Sequence, residues 1–292
     1  MTHYKGKTIN KEHGLERDGE VKLTICIGSI CDSSKKAIVA SDRMITAGDL
    51  TVAFEHDVPK ITQLTGNSLA LTSGPALIHT DLFREVKKTI HAGATPPINE
   101  IVDKVKNEYL KIRNRQVEER FFRVRGFNIE WFIHNQRALV PEIALRLDQQ
   151  LERYAFELTI LIAGVDDSGA HLYLIYPPCS SECFEALGYC SIGTGERHAD
   201  STFITYRYTP SVPLKEALYI TYEAKRKAEV AVGVGKSTDM AIISERGIQF
   251  LKPEILDMLK KIYEKKLEAQ RLMSEEINNM IKGLPILGDD SE

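Results

Sequence analysis

The sequence predicts an α+β fold in which two β-sheets are covered by helices. Short apolar segments typical of buried strands occur in three groups, and two pairs of segments with apolar residues at helical spacing separate these groups. The predicted order is therefore strands, two helices, strands, two helices and a strand. With 292 residues, the chain is long enough to bury a substantial core.

The predicted strands are apolar runs bounded by polar turn residues. Residues 32–35 and the pair Gly66 and Asn67 are expected to form turns between neighbouring strands, and residues 164–169 are expected to turn a hairpin. The strands are expected at residues 23–31, 36–42, 60–64, 68–72, 156–163, 171–176 and 239–244, with a further strand and turn at 189–195.

The predicted helices show apolar residues three and four positions apart. The last one is long and charged, begins at Pro253 and carries one apolar stripe, as expected of an amphipathic helix. The helices are expected at residues 76–91, about 99–112, 198–206, 213–230 and 253–282.

Three parts of the chain stand outside the predicted core domain, residues 22–250. Residues 1–21 are charged, show no period and are expected to form a flexible arm, and residues 251–292 form a C-terminal helical extension. Residues 113–153 mix arginine with aromatic residues and are expected to form a helical insertion. Such a mixture can stack on single-stranded nucleic acid, or it can form a helical shell or a subunit interface. The acidic chain favours the second interpretation.

Composition restricts the class of protein. Hydrophobic residues make up 43% and charged residues 27%, and the net charge is -3, so nucleic acid and membrane are not expected as partners. The first twenty residues lack the apolar core of a signal peptide, and the sequence predicts a cytoplasmic protein.

The sequence has five cysteines, an odd number, which indicates reduced thiols that act as small apolar side chains. Their spacing does not fit zinc, and no cofactor or metal is expected.

The first strands bring together the parts of an activated nucleophile. Thr24 supplies a hydroxyl, Asp42 a carboxylate and Lys60 an amine, and side chains on paired strands can meet on one face. A threonine hydroxyl reacts only with a base and a positive charge beside it. The same residues also suit a strand, a strand end and a solvated surface, so the spacing alone leaves both interpretations open.

Several short motifs, in this order along the chain, resemble those of proteasome core-particle subunits, the β-type in particular. The resemblance covers about residues 22–247 and implies the four-layer α-β-β-α sandwich of N-terminal-nucleophile hydrolases, whose subunits assemble into rings. It therefore predicts a homo-oligomer that acts on a peptide or protein substrate. The motifs are residues 27–28, 40–43, 60–61, 71–74, 161–166, 171–173, 192–195 and 239–243.

The resemblance also implies roles for five residues. Thr24 matches the nucleophile, which active members expose by self-cleavage, and Asp42 and Lys60 match the aspartate–lysine pair that activates it. Gly74 matches the position whose backbone N–H stabilises the oxyanion, and Thr194 matches a serine of the family. If active, the chain would be a threonine-type endopeptidase or amidase.

The chain departs from the family at three positions. Leu23 stands where active precursors have glycine, and Ala231 and Val234 stand where the family has a supporting aspartate and serine. These changes predict a latent or diverged enzyme, or alternatively a catalytically silent assembly or binding subunit.

Removal of Met1 would expose Thr2 as another N-terminal threonine, but its polar surroundings carry no strand pattern. The α-type subunits also have an N-terminal extension, although their aromatic-rich opening helix has no match here.

Overall fold

A computed structural model describes residues 24–47, 52–55, 60–74, 76–90, 95–156, 158–282 and 284. The fold is mixed α and β, as predicted, and the expected arm at residues 1–21 lies outside the described residues. The strands are β1 Ile25–Cys31, β2 Lys36–Ser41, β3 Met44–Ala47, β4 Val52–Glu55, β5 Ile61–Thr65, β6 Ser68–Ser73, β7 Thr159–Asp166, β8 Gly169–Tyr176, β9 Ser180–Cys183, β10 Tyr189–Gly193, β11 Asp239–Ser244 and β12 Gly247–Phe250.

The predicted helices are confirmed, and each follows its apolar period. The insertion at residues 113–153, which was expected to be helical, contains two further α-helices. The α-helices are α1 Ala76–Thr89, α2 Ile98–Val117, α3 Ile129–Asn135, α4 Pro141–Arg153, α5 Glu196–Thr205, α6 Leu214–Ala228 and α7 Pro253–Lys282.

Two five-stranded antiparallel sheets form the centre of the fold. The first has the order β10-β1-β2-β11-β12 and the second β5-β6-β7-β8-β9, and a separate hairpin pairs β3 with β4. In the first sheet Cys26 pairs with Ser41, which also pairs with Asp239, and Ile25 pairs with Gly193. The start of β1, the end of β2, the end of β10 and the start of β11 therefore lie at one end of this sheet.

Three hydrophobic clusters hold these elements together. One cluster joins residues of both sheets, including Cys26 and Val39 from the first and Leu71 and Leu161 from the second. Another packs α5, α6 and the first half of α7 against the first sheet, and a third packs α1 and α2 against the second. Alternation along the strands explains this arrangement, since successive side chains of a strand point to opposite faces.

The insertion forms a small core of its own. After α2, a π-helical turn at Glu118–Phe122 and a 3-10 turn at Arg123–Arg125 lead to α3 and α4. Phe122 and Phe132 are buried and their ring centroids are 5.3 Å apart, and Leu147 of α4 packs with them. These two aromatic rings are therefore used inside the helical insertion rather than presented for stacking.

The structure corrects the expected turn at residues 164–169. Strand β7 continues to Asp166 and only Asp167 and Ser168 form the turn. Gly164 lies inside the strand, where an added Cβ would come within 2.3 Å of Cδ1 of Ile98. The glycine thus allows the start of α2 to approach the sheet closely, which is a packing role and not a turn.

Four short strands were not predicted: β3, β4, β9 and β12. Each has four residues, and β9 and β12 are edge strands of the two sheets. A four-residue strand spans only two periods of the apolar–polar alternation, which is too few to distinguish it from a polar loop.

All five cysteines are free thiols, but the prediction that they are all apolar fillers is wrong for Cys183, which is exposed on β9.

Candidate functional site

Asp42 is the centre of the site. It directly follows β2, its side chain is fully buried, and both carboxylate oxygens accept hydrogen bonds. Oδ1 accepts from the hydroxyl of Thr24 at 2.7 Å and from the backbone N–H of Ile25 at 3.2 Å. Oδ2 accepts from the backbone N–H groups of Gly235 at 2.8 Å and Met44 at 3.3 Å. Both oxygens of this buried carboxylate therefore have hydrogen-bond partners, as buried polar groups require.

Lys60 completes a triangle with Asp42 and Thr24. Its Nζ lies 2.7 Å from Oδ1 of Asp42 and also donates to Oγ1 of Thr24. The lysine side chain is 12% exposed and Thr24 is 3% exposed, so water screens this cluster poorly. Thr24 lies just before β1 and Lys60 just before β5, so the triangle joins the two sheets.

This arrangement can stabilise negative charge on the threonine oxygen. The Lys60 ammonium points at Oγ1, which is where charge develops when a hydroxyl attacks a carbonyl. The hydroxyl proton points at Asp42, so the oxygen is oriented by a donor on one side and an acceptor on the other. In the intact chain the backbone nitrogen of Thr24 is part of a peptide bond and cannot serve as a base.

Two further titratable side chains surround the triangle and were not predicted from the sequence. Burial raises the pKa of Cys26 to about 12, an effect that the Lys60 charge opposes and the Asp42 charge adds to. Cys26 is therefore a neutral thiol at neutral pH and does not compete with the hydroxyl as a nucleophile. Burial and the Lys60 charge both lower the pKa of His79 on α1, which favours its neutral form.

The end of β10 holds the carbonyl of Thr24. The hydroxyl of Thr194 and the backbone N–H of Gly195 each donate to this oxygen at 3.4 Å. Gly193 has φ 106°, and a Cβ built on it would lie 2.2 Å from the same carbonyl oxygen. Only glycine fits here, because the left-handed backbone and the close contact both exclude a side chain.

Gly74 is the one sequence-predicted site residue that these hydrogen bonds do not include. It directly follows β6, is exposed and has φ 126°. The neighbouring Thr72 carbonyl lies 3.5 Å from Sγ of Cys26, which links this end of β6 to β1. The structure therefore brings Thr24, Asp42, Lys60 and Thr194 into one hydrogen-bonded group and places Gly74 at the end of a strand beside it.

The segment between α6 and β11 also contacts the site. We refer to residues 229–236 as the 229–236 loop. Its Gly235 N–H donates to Asp42, and its Val232 carbonyl, 3.3 Å from the Thr194 hydroxyl, is the alternative acceptor to the Thr24 carbonyl for the single proton of that hydroxyl. These contacts use backbone atoms, so the side-chain types of the loop gave no signal of them. A bidentate ion pair of Arg43 with Asp239, at 2.6 and 2.8 Å, fixes the start of β11 next to Asp42.

The described residues contain no group of three or more His, Cys, Asp or Glu side chains that could hold a metal ion. A shallow cleft of about 630 Å³ lies in the insertion, lined by Glu118, Arg123, Phe127 and Trp131 among others, and none of the five candidate residues lines it. Among the helices described, none is both long and apolar enough to traverse a bilayer. No known protein-family model matches the chain.

Proposed function

We propose that this protein is a proteasome-type subunit and a latent or diverged threonine-type peptidase or amidase. Thr24 is the nucleophile after cleavage of the arm that precedes it. The observation that carries the proposal is the buried, hydrogen-bonded triangle of Thr24, Asp42 and Lys60. Buried polar groups that converge on one hydroxyl are typical of an activated nucleophile.

The layers of the fold support the same proposal. The cluster between the sheets and the helical clusters on their outer faces are what a four-layer α-β-β-α sandwich of the N-terminal-nucleophile type requires. The triangle lies where the start of β1 meets the start of β5. A nucleophile immediately before a strand suits this chemistry, because cleavage ahead of Thr24 would leave its amine free next to a fixed strand.

The proposed reaction uses residues already in place. Oγ1 of Thr24 attacks the carbonyl carbon of a peptide or amide, its proton passes to the freed α-amine, and Lys60 stabilises the developing charge. An α-amine has a pKa of about 7.7–8.0, so a useful fraction is neutral near pH 7. The protonated amine then gives its proton to the leaving nitrogen, an ester forms on Thr24, and water hydrolyses it. Gly74 is proposed to supply an N–H to the oxyanion.

The mass of the purified protein tests the proposal. We expect a species that begins at Thr24 and that gains the mass of a threonine-directed peptide electrophile. Thr24→Val should remove both cleavage and labelling, because it keeps the shape of the side chain without its hydroxyl. Thr2→Val is the matched control, since Thr2 is the other threonine that processing could expose. An intact wild-type chain that never labels, or labelling that persists in Thr24→Val, would refute the proposal.

A second candidate function is a silent subunit that acts in assembly, and α7 favours it. Leu259 and Tyr263 pack into the core, but every residue from 267 to 282 is exposed. The exposed part carries large apolar side chains spaced three and four apart, which is typical of a helix that packs against a partner. These residues include Leu267, Met273, Ile277, Met280 and Ile281.

Solution mass measurement tests this second candidate. We expect wild-type protein to form an oligomer, a ring if the proteasome resemblance extends to assembly, and Met273→Glu with Ile277→Glu to give smaller species. Ser274→Glu with Asn278→Glu adds the same charge to neighbouring exposed positions of the helix and should leave the oligomer intact. A monomeric wild-type protein, or equal masses for the two double variants, would contradict an assembly role for α7.

A further inference from the structure

Lys225 is a buried cation outside the triangle. It lies in the last turn of α6, and its side chain is fully buried. Its Nζ donates to the carboxylate of Glu229 at 2.7 Å and to the backbone carbonyls of Gly235 at 3.0 Å and Lys236 at 2.9 Å. An ammonium has three protons to donate, and these three acceptors match them.

Burial of this ammonium is costly without its partners. Burial lowers the pKa of Lys225, while the Glu229 carboxylate and the more distant Asp42 carboxylate raise it. Removing one partner of a buried ion pair leaves an uncompensated buried charge and is strongly destabilising. The two backbone acceptors lie at the far end of the 229–236 loop and Glu229 lies at its near end, so Lys225 ties both ends of the loop to α6.

The loop that Lys225 ties down is the one that contacts the site. The Gly235 N–H donates to Oδ2 of Asp42 at 2.8 Å, and the carbonyl of the same residue accepts from Lys225. Asp42 in turn orients the Thr24 hydroxyl and the Lys60 ammonium. A continuous chain of hydrogen bonds therefore runs from Lys225 through Gly235 to the triangle.

The loop has no polar side chain at positions 231 and 234, where the resemblance implies an aspartate and a serine. Ala231 and Val234 are apolar, and Val234 is buried in the cluster against the first sheet. The contacts of the loop with the site, through Gly235 and Val232, come from its backbone. A backbone N–H keeps its position only if the loop that carries it is fixed. Lys225 of α6 fixes this loop through its hydrogen bonds to the loop carbonyls.

We infer that Lys225 is a positioning residue for the threonine site: it fixes the 229–236 loop so that the Gly235 N–H holds Asp42 toward Thr24 and Lys60. This inference rests on the proposed function, since the site it serves is the proposed catalytic triangle. Lys225 does not touch the reacting atoms. It acts through one backbone amide, and small displacements of a positioned group lower reaction rates strongly.

Lys225→Met tests the inference, because methionine keeps the unbranched apolar part of the side chain and removes the charged ammonium group. We expect the amides of the 229–236 loop to exchange with deuterium at least about 10-fold faster, and labelling of Thr24 to slow by about 10–100-fold. The slower labelling should appear in the maximal rate of the covalent step and not in the electrophile concentration that gives half of that rate, because Lys225 does not touch the reacting atoms. Lys266→Met is the matched control: Lys266 pairs with Glu223 at 2.7 Å on α6, away from the loop.

The outcomes separate the inference from the proposed function. A folded Lys225→Met protein with wild-type exchange in the loop, or with a wild-type maximal labelling rate, would overturn the positioning role. A wild-type protein that never labels counts against the proposed function instead, and the exchange measurement then decides the link from Lys225 to Gly235 without any reaction.

A second variant guards against loss of folding. Lys225→Met with Glu229→Leu removes both charges of the pair, while the two loop carbonyls still lose their donor; the charge that loses a partner is that of Arg226, whose side chain is 27% exposed. The same faster exchange and slower labelling are expected. If both variants fail to fold while Lys266→Met folds, the role of Lys225 is purely structural and the inference is wrong.

Discussion

The pair of Asp42 and Lys60 allows a quantitative test of the site that needs no substrate. The perturbations are Asp42→Asn, Lys60→Met and the combination of the two. Asp42 is fully buried and accepts hydrogen bonds on both oxygens, whereas Lys60 is 12% exposed and contacts Asp42 and Thr24. The two positions are therefore unequal, and the structure predicts unequal costs.

Asp42→Asn should be the more damaging single change. It leaves the Lys60 ammonium without its countercharge, and the new NH₂ group must face N–H donors such as those of Met44 and Gly235. Breaking a buried ion pair from one side costs about 3–5 kcal/mol of unfolding free energy. Lys60→Met should cost less, about 1.5–3 kcal/mol, because the carboxylate keeps its bonds from the Thr24 hydroxyl and from backbone amides.

The double variant gives the interaction energy of the pair. Once one partner is absent, the second substitution no longer strands a charge, so the combined cost should fall below the sum by about 1–3 kcal/mol. Urea unfolding followed by circular dichroism gives the unfolding free energy of all four proteins. If the slope of this free energy against urea concentration is the same in each, all four unfold through the same transition. A cost below about 1 kcal/mol for Asp42→Asn, or additivity within about 0.5 kcal/mol, would refute a coupled buried pair.

Three further predictions concern the surroundings of the site and the rest of the fold. Gly193→Ala should destabilise the protein by more than about 1 kcal/mol and displace Thr24, because φ is 106° and the added Cβ would lie 2.2 Å from the Thr24 carbonyl oxygen; the urea midpoint measures this, and a wild-type midpoint contradicts it. Phe122→Ala should cost about 3–5 kcal/mol locally and expose the insertion to limited proteolysis before the sheets, whereas uniform cleavage would show that the insertion is not a separate cluster. Burial opposes protonation of His171, but its hydrogen bonds to Glu185 and Asp166 outweigh this and raise its pKa, so the stabilisation should be complete below about pH 6.5 and be lost as pH rises through the raised value. The unfolding free energy of wild type minus that of His171→Gln should therefore be larger at pH 6 than at pH 9, and the opposite trend would refute the assignment.

The helices and long strands could be predicted from the sequence, because an element that buries one face has apolar residues at a regular spacing. Helix α7 begins at Pro253 and ends at Lys282, as its stripe predicts, since its first half packs on the core. The missed strands have no such period. Gly164 misled the prediction because glycine marks both turns and close packing, and only the position of Ile98 distinguishes the two.

The candidate site divides in the same way. Thr24 and Asp42 flank the paired strands β1 and β2, so their meeting could be predicted from strand pairing. Lys60 precedes β5 of the second sheet, so its place in the triangle depends on how the two sheets stack, which strand pairing does not report. The roles of Gly235 and Lys225 could not be predicted from the sequence. Gly235 acts through its backbone amide, and Lys225 has no feature in the sequence that distinguishes it from an exposed helical lysine. Gly235 is 193 residues from Asp42 in the chain, and no periodicity reports a contact at that separation.

The use of backbone donors bears on whether the site can be complete with apolar side chains at positions 231 and 234. A side-chain donor is lost when its residue changes, but the N–H groups that hold Asp42 belong to Ile25, Met44 and Gly235 whatever their side chains are. Ala231 and Val234 therefore do not by themselves leave the carboxylate unsatisfied. The sensitivity moves instead to the groups that fix the loop, and the ammonium of Lys225 is one of them. A site built in this way should tolerate substitutions within the loop that keep its backbone path, and it should fail when the buried lysine is removed.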